Sequence, residues 1–220
     1  KKKKKYYTSF DEFEKVLYSL SRSKKYPNKK DAPLISPATY VADTTRANAH
    51  VVNWASWAAI DVDDYEGDIK DIEAKYSKYK YVCYSTASST KENPKFRLVF
   101  DLKYPVLKDD IKKFWYALNK EFLEVSDAQT KDLSRMYYIP NQYHDAFNFI
   151  FTHEGKQMDP IELMAKHPYV NRQEGFFNRL PDAIQKGLIE HRKNQLNIQI
   201  SNGQVMMIVL LLIVNIFFFF

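Results

Sequence analysis

Trp57-Ala58-Ala59-Ile60-Asp61-Val62-Asp63-Asp64 is a short apolar run that ends in acid. Its length and its small and branched side chains read as a buried strand. Residues two apart on a strand project to one face, so Asp61 and Asp63 stand side by side while Val62 packs behind. Two adjacent carboxylates repel unless a cation lies between them. Oxygen ligands of this kind suit magnesium or manganese holding phosphates. The pattern alone is not decisive, because acids also cluster at solvated strand ends.

Outward from this strand, Ile69, Ile72, Tyr76 and Tyr79 keep the spacing of an amphipathic helix, and Tyr81–Ser85 reads as a second strand. Phe96, Leu98, Phe100 and Leu102 alternate with Lys95, Arg97, Val99 and Asp101, a period-two pattern for a sheet with unlike faces. Arg97 therefore points away from the Phe96 face. Leu107, Ile111, Phe114, Trp115, Leu118 and Phe122 predict a long helix leading to the acidic segment 125–132. Residues 136–139 and 147–151 read as strands, and the pattern from Pro160 onward is helical, with Pro181 in the first turn of a helix. At the other end, Ser9-Phe10-Asp11-Glu12 reads as a capping box opening a helix. A stretch containing Pro27, Pro33 and Pro37 then suggests an irregular connection. The mixture predicts an α+β fold. We divide the chain into an N-terminal helix and connection (1–44), a core (45–154), a helical region (155–204) and an apolar tail (205–220).

With 33 Lys and Arg against 27 Asp and Glu, the net charge is +6, which favours polyanionic partners without naming them. The lone Cys83 lies in an apolar strand, forms no intrachain disulfide, and fits a reducing compartment. Five His without HxH or HExxH spacing argue against zinc. Lys1 to Lys5 form a like-charge block that reads as a solvated tail or a phosphate-attracting arm. As a helix the tail 205–220 would span about 24 Å, short of the roughly 30 Å hydrocarbon core. A full membrane span is therefore marginal; a membrane tail, an interfacial segment and a truncated or misread reading frame are all open, and the run Phe217 to Phe220 fits the last best.

Two further segments accompany the acid pair. Tyr84-Ser85-Thr86-Ala87-Ser88-Ser89-Thr90, followed by Pro94-Lys95-Phe96-Arg97, offers hydroxyls, an ammonium and a guanidinium to phosphate. Ser126-Asp127 precedes Ser134-Arg135-Met136-Tyr137-Tyr138-Ile139-Pro140, which provides a third acid and another arginine. In this order, from about Trp57 to Pro140, the three segments resemble the phage and plasmid branch of the archaeo-eukaryotic primase superfamily. That family carries a DxD or DxE strand, a small-residue turn ending in His before a PR-x-R-type strand, and a third acid before an SR-x-x-YxP-like stretch.

The resemblance implies an α+β primase-polymerase core, a modified RRM-like sheet beside a second α/β unit, with the site in the cleft between them. It implies catalytic and metal-holding roles for Asp61, Asp63 and Asp127 with Mg2+ or Mn2+. Nucleotide-binding roles then fall on Ser88, Ser89, Lys95, Arg97 and Arg135. The implied partners are a single-stranded DNA template, nucleoside triphosphates and a replicative helicase, in the cytoplasm; a membrane is not implied, though the tail 205–220 leaves one open. On this reading Asp61→Ala abolishes synthesis and leaves the fold intact. Two positions depart from the pattern: Ser89 stands at the His position and cannot carry positive charge, and Lys95 replaces an Arg, losing the planar fork. The departures keep a noncatalytic replication-associated nucleic-acid-binding domain open as an alternative, and the bare DxD keeps a sugar-nucleotide glycosyltransferase open.

Overall fold

Strand β6 (Phe96–Asp101) is the centre of the structure, a computed structural model that describes residues 7–23, 26, 29–122, 132–169 and 180–201. It lies between β4 (Trp57–Val62) and β5 (Tyr81–Ser85), and β9 (Ile150–His153) completes a four-stranded sheet in the order β4-β6-β5-β9. Every pairing in this sheet is antiparallel. It follows that β4 and β5 run parallel to each other with β6 inserted between them, and the chain crosses over the sheet to connect them. Two smaller antiparallel sheets flank it among the described residues. One joins β1 (Leu34–Ile35) to β8 (Tyr137–Tyr138); the other orders β2 (Ala38–Tyr40), β3 (Val51–Trp54) and β7 (Val106–Leu107). With α1 (Phe10–Ser23), α2 (Ile72–Lys75), α3 (Ile111–Glu121) and α4 (Pro160–Lys166), the architecture is α+β.

The chain divides into two units, Lys1–Pro168 and Tyr169–Phe220. In the second, α5 (Asp182–Ser201) opens on Pro181, whose carbonyl accepts from the N–H groups of Ile184 and Gln185. Asp127 and the tail 205–220 lie outside the described residues. No helix among the described residues is long and apolar enough to cross a membrane.

The sheet has two buried faces. On one, Ile60, Phe96, Leu98, Phe100 and Cys83 pack against Ile111, Phe114 and Leu118 of α3 and Leu163 of α4. On the other, Trp57, Ala59, Val82, Tyr84 and Val99 meet Phe13 and Leu17 of α1 and Tyr137 of β8. Burying side chains such as Phe13 and Leu17 contributes about 1.5–3 kcal/mol each. The helix that carries them is secured at its start as its sequence predicts: Glu12 N–H donates to Ser9 Oγ at 3.3 Å, and Thr8 N–H donates to Glu12 Oε2 at 2.8 Å.

Several sequence expectations are corrected here. The unlike faces expected of β6 are both covered: all six of its residues are buried, with α1 and β8 over the Arg97 side. Asp101 accepts from Gln157 Nε2 at 3.0 Å, and its burial pushes its pKa up. The Pro-rich stretch is not wholly irregular, since β1 and β2 form within it. The helix expected through Tyr79 ends at Lys75. Tyr79 instead bridges in strand fashion to Lys156, and the backbones meet so closely that a Cβ at Gly155 would lie 2.6 Å from the Tyr79 carbonyl carbon. The last strand begins at Ile150 rather than 147, because Phe147 N–H is taken by the Ser89 carbonyl and Phe149 N–H by Ser85 Oγ.

An ion cluster ties α3 to α4. Glu121 accepts from Lys166 Nζ at 2.6 Å, Tyr79 Oη at 3.1 Å and Lys78, and His167 Nε2 lies 2.7 Å away. Burial acts to raise the Glu121 pKa, but the bonds from Lys166, Lys78 and His167 outweigh it and hold the group at about 2. A carboxyl depressed in the folded state stabilises above its unfolded pKa, and that contribution disappears as pH falls through the folded value. Glu121 is therefore expected to contribute about 2–3 kcal/mol above pH ~4.5, discounted for its half-exposed lysines, and to lose it between about pH 4.5 and 2. Urea midpoints measured across that range should fall less steeply for Glu121→Gln than for the native chain. Equal slopes would show that the cluster is too solvated to matter.

Candidate functional site: an acid and arginine cleft

Antiparallel register brings the site together. Asp61 of β4, Arg97 of β6 and Tyr84 of β5 are direct neighbours across the sheet, on the face that carries α1 and β8. Arg97 is 7% exposed and its donors are almost fully engaged. Its Nε and Nη2 donate to Asp61 Oδ1 at 2.7 and 2.6 Å, and its Nη1 donates to Tyr84 Oη at 3.1 Å and the Tyr138 carbonyl at 2.8 Å. The guanidinium also lies 4.8 Å from the centre of the Tyr137 ring. Burial pushes the Tyr84 and Tyr137 hydroxyls up from their ordinary pKa, so both act as neutral donors beside this ion pair. Arg135 approaches the other oxygen of Asp61, with Nη2 3.5 Å from Oδ2, and is held between the rings of Trp115 and Tyr137.

Beside this pair opens a cleft whose walls include Lys29, Asp61, Asp63, Ser88, Arg97 and Tyr143. Asp63 follows the end of β4, is exposed, and forms no ion pair with any described residue. Ser88 is exposed at the tip of the turn between β5 and β6. Lys29 enters from the segment before β1, its Nζ 5.1 Å above the Tyr138 ring. Tyr143 Oη is buried in the wall without a hydrogen-bond partner among the described residues, and burial pushes its pKa up to about 12.

Of the residues singled out in the sequence, Asp61, Asp63, Ser88 and Arg97 share this cleft. Three described ones do not line it. Ser89 is 1% exposed, and its Oγ accepts Lys95 N–H at 3.1 Å, closing the turn from inside. Lys95 is partly exposed at the start of β6, and Arg135 stands behind Asp61. Asp127 lies outside the described residues. Lys29 and Tyr143 were not legible as site residues. The one available signal for Tyr143 was its place three residues after the Ser134 to Pro140 stretch.

The donor set suits one hard cation. Asp63 and the less tightly held Oδ2 of Asp61 are two oxygens on one face. Magnesium is commonly bound by one or two carboxylates with substrate phosphates and water filling the rest. Among the described residues no group of three acidic, His or Cys side chains converges to complete a cage. A two-ion site would therefore depend on Asp127.

An α+β domain with an acid and arginine cleft at the edge of a four-stranded antiparallel sheet defines the class. The chain belongs to the VapE N-terminal domain family, whose profile matches residues 38–173. Among solved structures it is similar to the AEP domain of the primase-polymerase of cyanophage S-2L. The identity is 15% and the TM-score 0.40, over 60% of this chain and 69% of that one. No curated protein matches it.

Proposed function

We propose that this domain is a primase-polymerase-type nucleotidyltransferase that binds nucleoside triphosphates and makes or extends primers on single-stranded DNA. The observation that carries the reading is the convergence of Asp61, Asp63, Ser88 and Arg97 in one cleft. They come from two of the three segments whose order in the chain resembles that enzyme class. Lys29 and Ser88 line the cleft with groups that can donate to phosphate, whereas Arg97 fixes the carboxylate of Asp61 in place. A bound magnesium or manganese ion would neutralise triphosphate charge and lower the pKa of an attacking hydroxyl. The protein's part is positioning: Asp61 is locked by two guanidinium groups, and Asp63 presents an unpaired charge next to it.

A noncatalytic nucleic-acid-binding role is favoured by one specific feature. Arg97 and Arg135 already neutralise Asp61, so the cleft can present positive potential to a phosphate backbone without any metal. The test is incubation of the full chain with single-stranded DNA, labelled nucleoside triphosphates and Mg2+ or Mn2+. Incorporation that requires both metal and template is the expected result. Template binding without incorporation would replace the enzyme reading with the binding reading, and binding of neither template nor nucleotide would remove both.

A further inference from the structure

A second recess adjoins the first cleft, shares Tyr84 and Ser85 with it as a wall, and is lined also by Arg22, Asn141, Phe149 and Ile150. Asn141 is 4% exposed, and both its Oδ1 and its Nδ2 are buried without a hydrogen-bond partner among the described residues. An amide buried in that state is destabilising, because it has given up hydrogen bonds to water and gained none. Its neighbours in the recess are satisfied. Asn148 Nδ2 donates to the carbonyls of Tyr143 and Ala146, each at 2.8 Å, and its Oδ1 accepts Tyr143 N–H at 2.9 Å; Ser85 Oγ accepts Phe149 N–H at 3.0 Å. The unmet capacity is therefore local to Asn141, a donor and an acceptor side by side on a planar group.

We propose that this recess takes the base of the incoming nucleotide and that Asn141 reads an adenine edge, with the triphosphate on the far side of the Tyr84–Ser85 wall. This rests on the nucleotide reading of the first cleft. A planar amide matches adenine in bidentate fashion, accepting from N6 and donating to N7, and such a pair discriminates by about 1–3 kcal/mol. Guanine presents an acceptor where adenine presents its amino group, so it cannot satisfy the amide oxygen. Phe149 and Ile150 offer apolar surface to the flat ring, and Arg22 adds positive charge at the recess.

The experiment measures binding of adenosine, guanosine, dATP, dGTP, oligodeoxyadenylate and inorganic tripolyphosphate to the full chain and to Asn141→Leu, with urea midpoints for both. The native chain should prefer adenosine to guanosine and dATP to dGTP by about tenfold, the factor set by one bidentate pair. It should also hold dATP more tightly than either adenosine or tripolyphosphate. Asn141→Leu should lose the base preference, keep tripolyphosphate affinity, and show an unchanged or raised midpoint, because it removes an unmet buried amide. Equal affinity for the two purines, a preference that survives in the variant, a preference seen only in oligodeoxyadenylate, or a lowered midpoint would each overturn the assignment. Failure of tripolyphosphate to bind, with the adenosine preference intact, would count against the phosphate cleft instead.

Discussion

Asp61→Ala is expected to lower the unfolding free energy by about 3 kcal/mol, read as a fall in the urea midpoint with an unchanged slope. The cost comes from the partner left behind. Arg97 has a side chain only 8% exposed, and among the described residues Asp61 is the one carboxylate that it meets, through two bonds of 2.6 and 2.7 Å. With the acid gone, the guanidinium retains the Tyr84 hydroxyl and the Tyr138 carbonyl, which are neutral. Breaking a buried pair from one side leaves an uncompensated charge, costing about 3–5 kcal/mol where burial is complete. The 25% exposure of Asp61 places the expected value at the low end. Asp61→Asn, which retains an acceptor for Arg97, should recover part of the loss. An unchanged midpoint in the Ala variant would show that water already reaches Arg97. The sequence-based expectation that this substitution leaves the fold intact is thus revised, and loss of activity in it says nothing about catalysis.

The revision shows what a strand pattern can and cannot convey. The two-residue period placed Asp61 and Asp63 on one face, and alternation in β6 placed Arg97 opposite Phe96. Neither pattern reveals what covers that face. The cover is α1, lying before the Pro-rich connection, together with β8, and half of the Arg97 bonds go to oxygens of Tyr84 and Tyr138. The Tyr138 acceptor is a backbone carbonyl, which every residue has and no sequence signal marks. Turn geometry is similarly silent. Ser88 and Ser89 are chemically identical in the sequence, yet Ser88 faces the cleft while Ser89 is inside the turn on Lys95 N–H. Seating an imidazole at Ser89 would require room that a 1% exposed position lacks, so a Ser89→His replacement tests packing before it tests chemistry. Lys29 was hidden for a related reason: it precedes β1, and only the pairing of β1 with β8 brings that segment against Tyr138.

Asp63→Ala separates the two functional readings where Asp61→Ala cannot. Asp63 is exposed beyond the end of β4 and forms no ion pair with a described residue, so its truncation should leave the urea midpoint within about 0.5 kcal/mol of native. If the cleft performs nucleotidyl transfer, Asp63 is the carboxylate best placed to hold a cation against the triphosphate. Its removal should then reduce template-dependent incorporation by about 100-fold or more, a factor equivalent to roughly 3 kcal/mol of lost transition-state charge stabilisation. Tripolyphosphate binding supplies a second measurement of opposite sign. Without metal, deleting a negative charge from a cleft that also holds Lys29 should tighten anion binding on either reading. With metal, the enzyme reading requires that the strengthening of tripolyphosphate binding by Mg2+ or Mn2+ be lost in Asp63→Ala. A variant that binds the anion more tightly in both conditions, beside a native chain that neither incorporates nucleotide nor responds to metal, would make the cleft an electropositive binding groove in which Asp63 only moderates affinity.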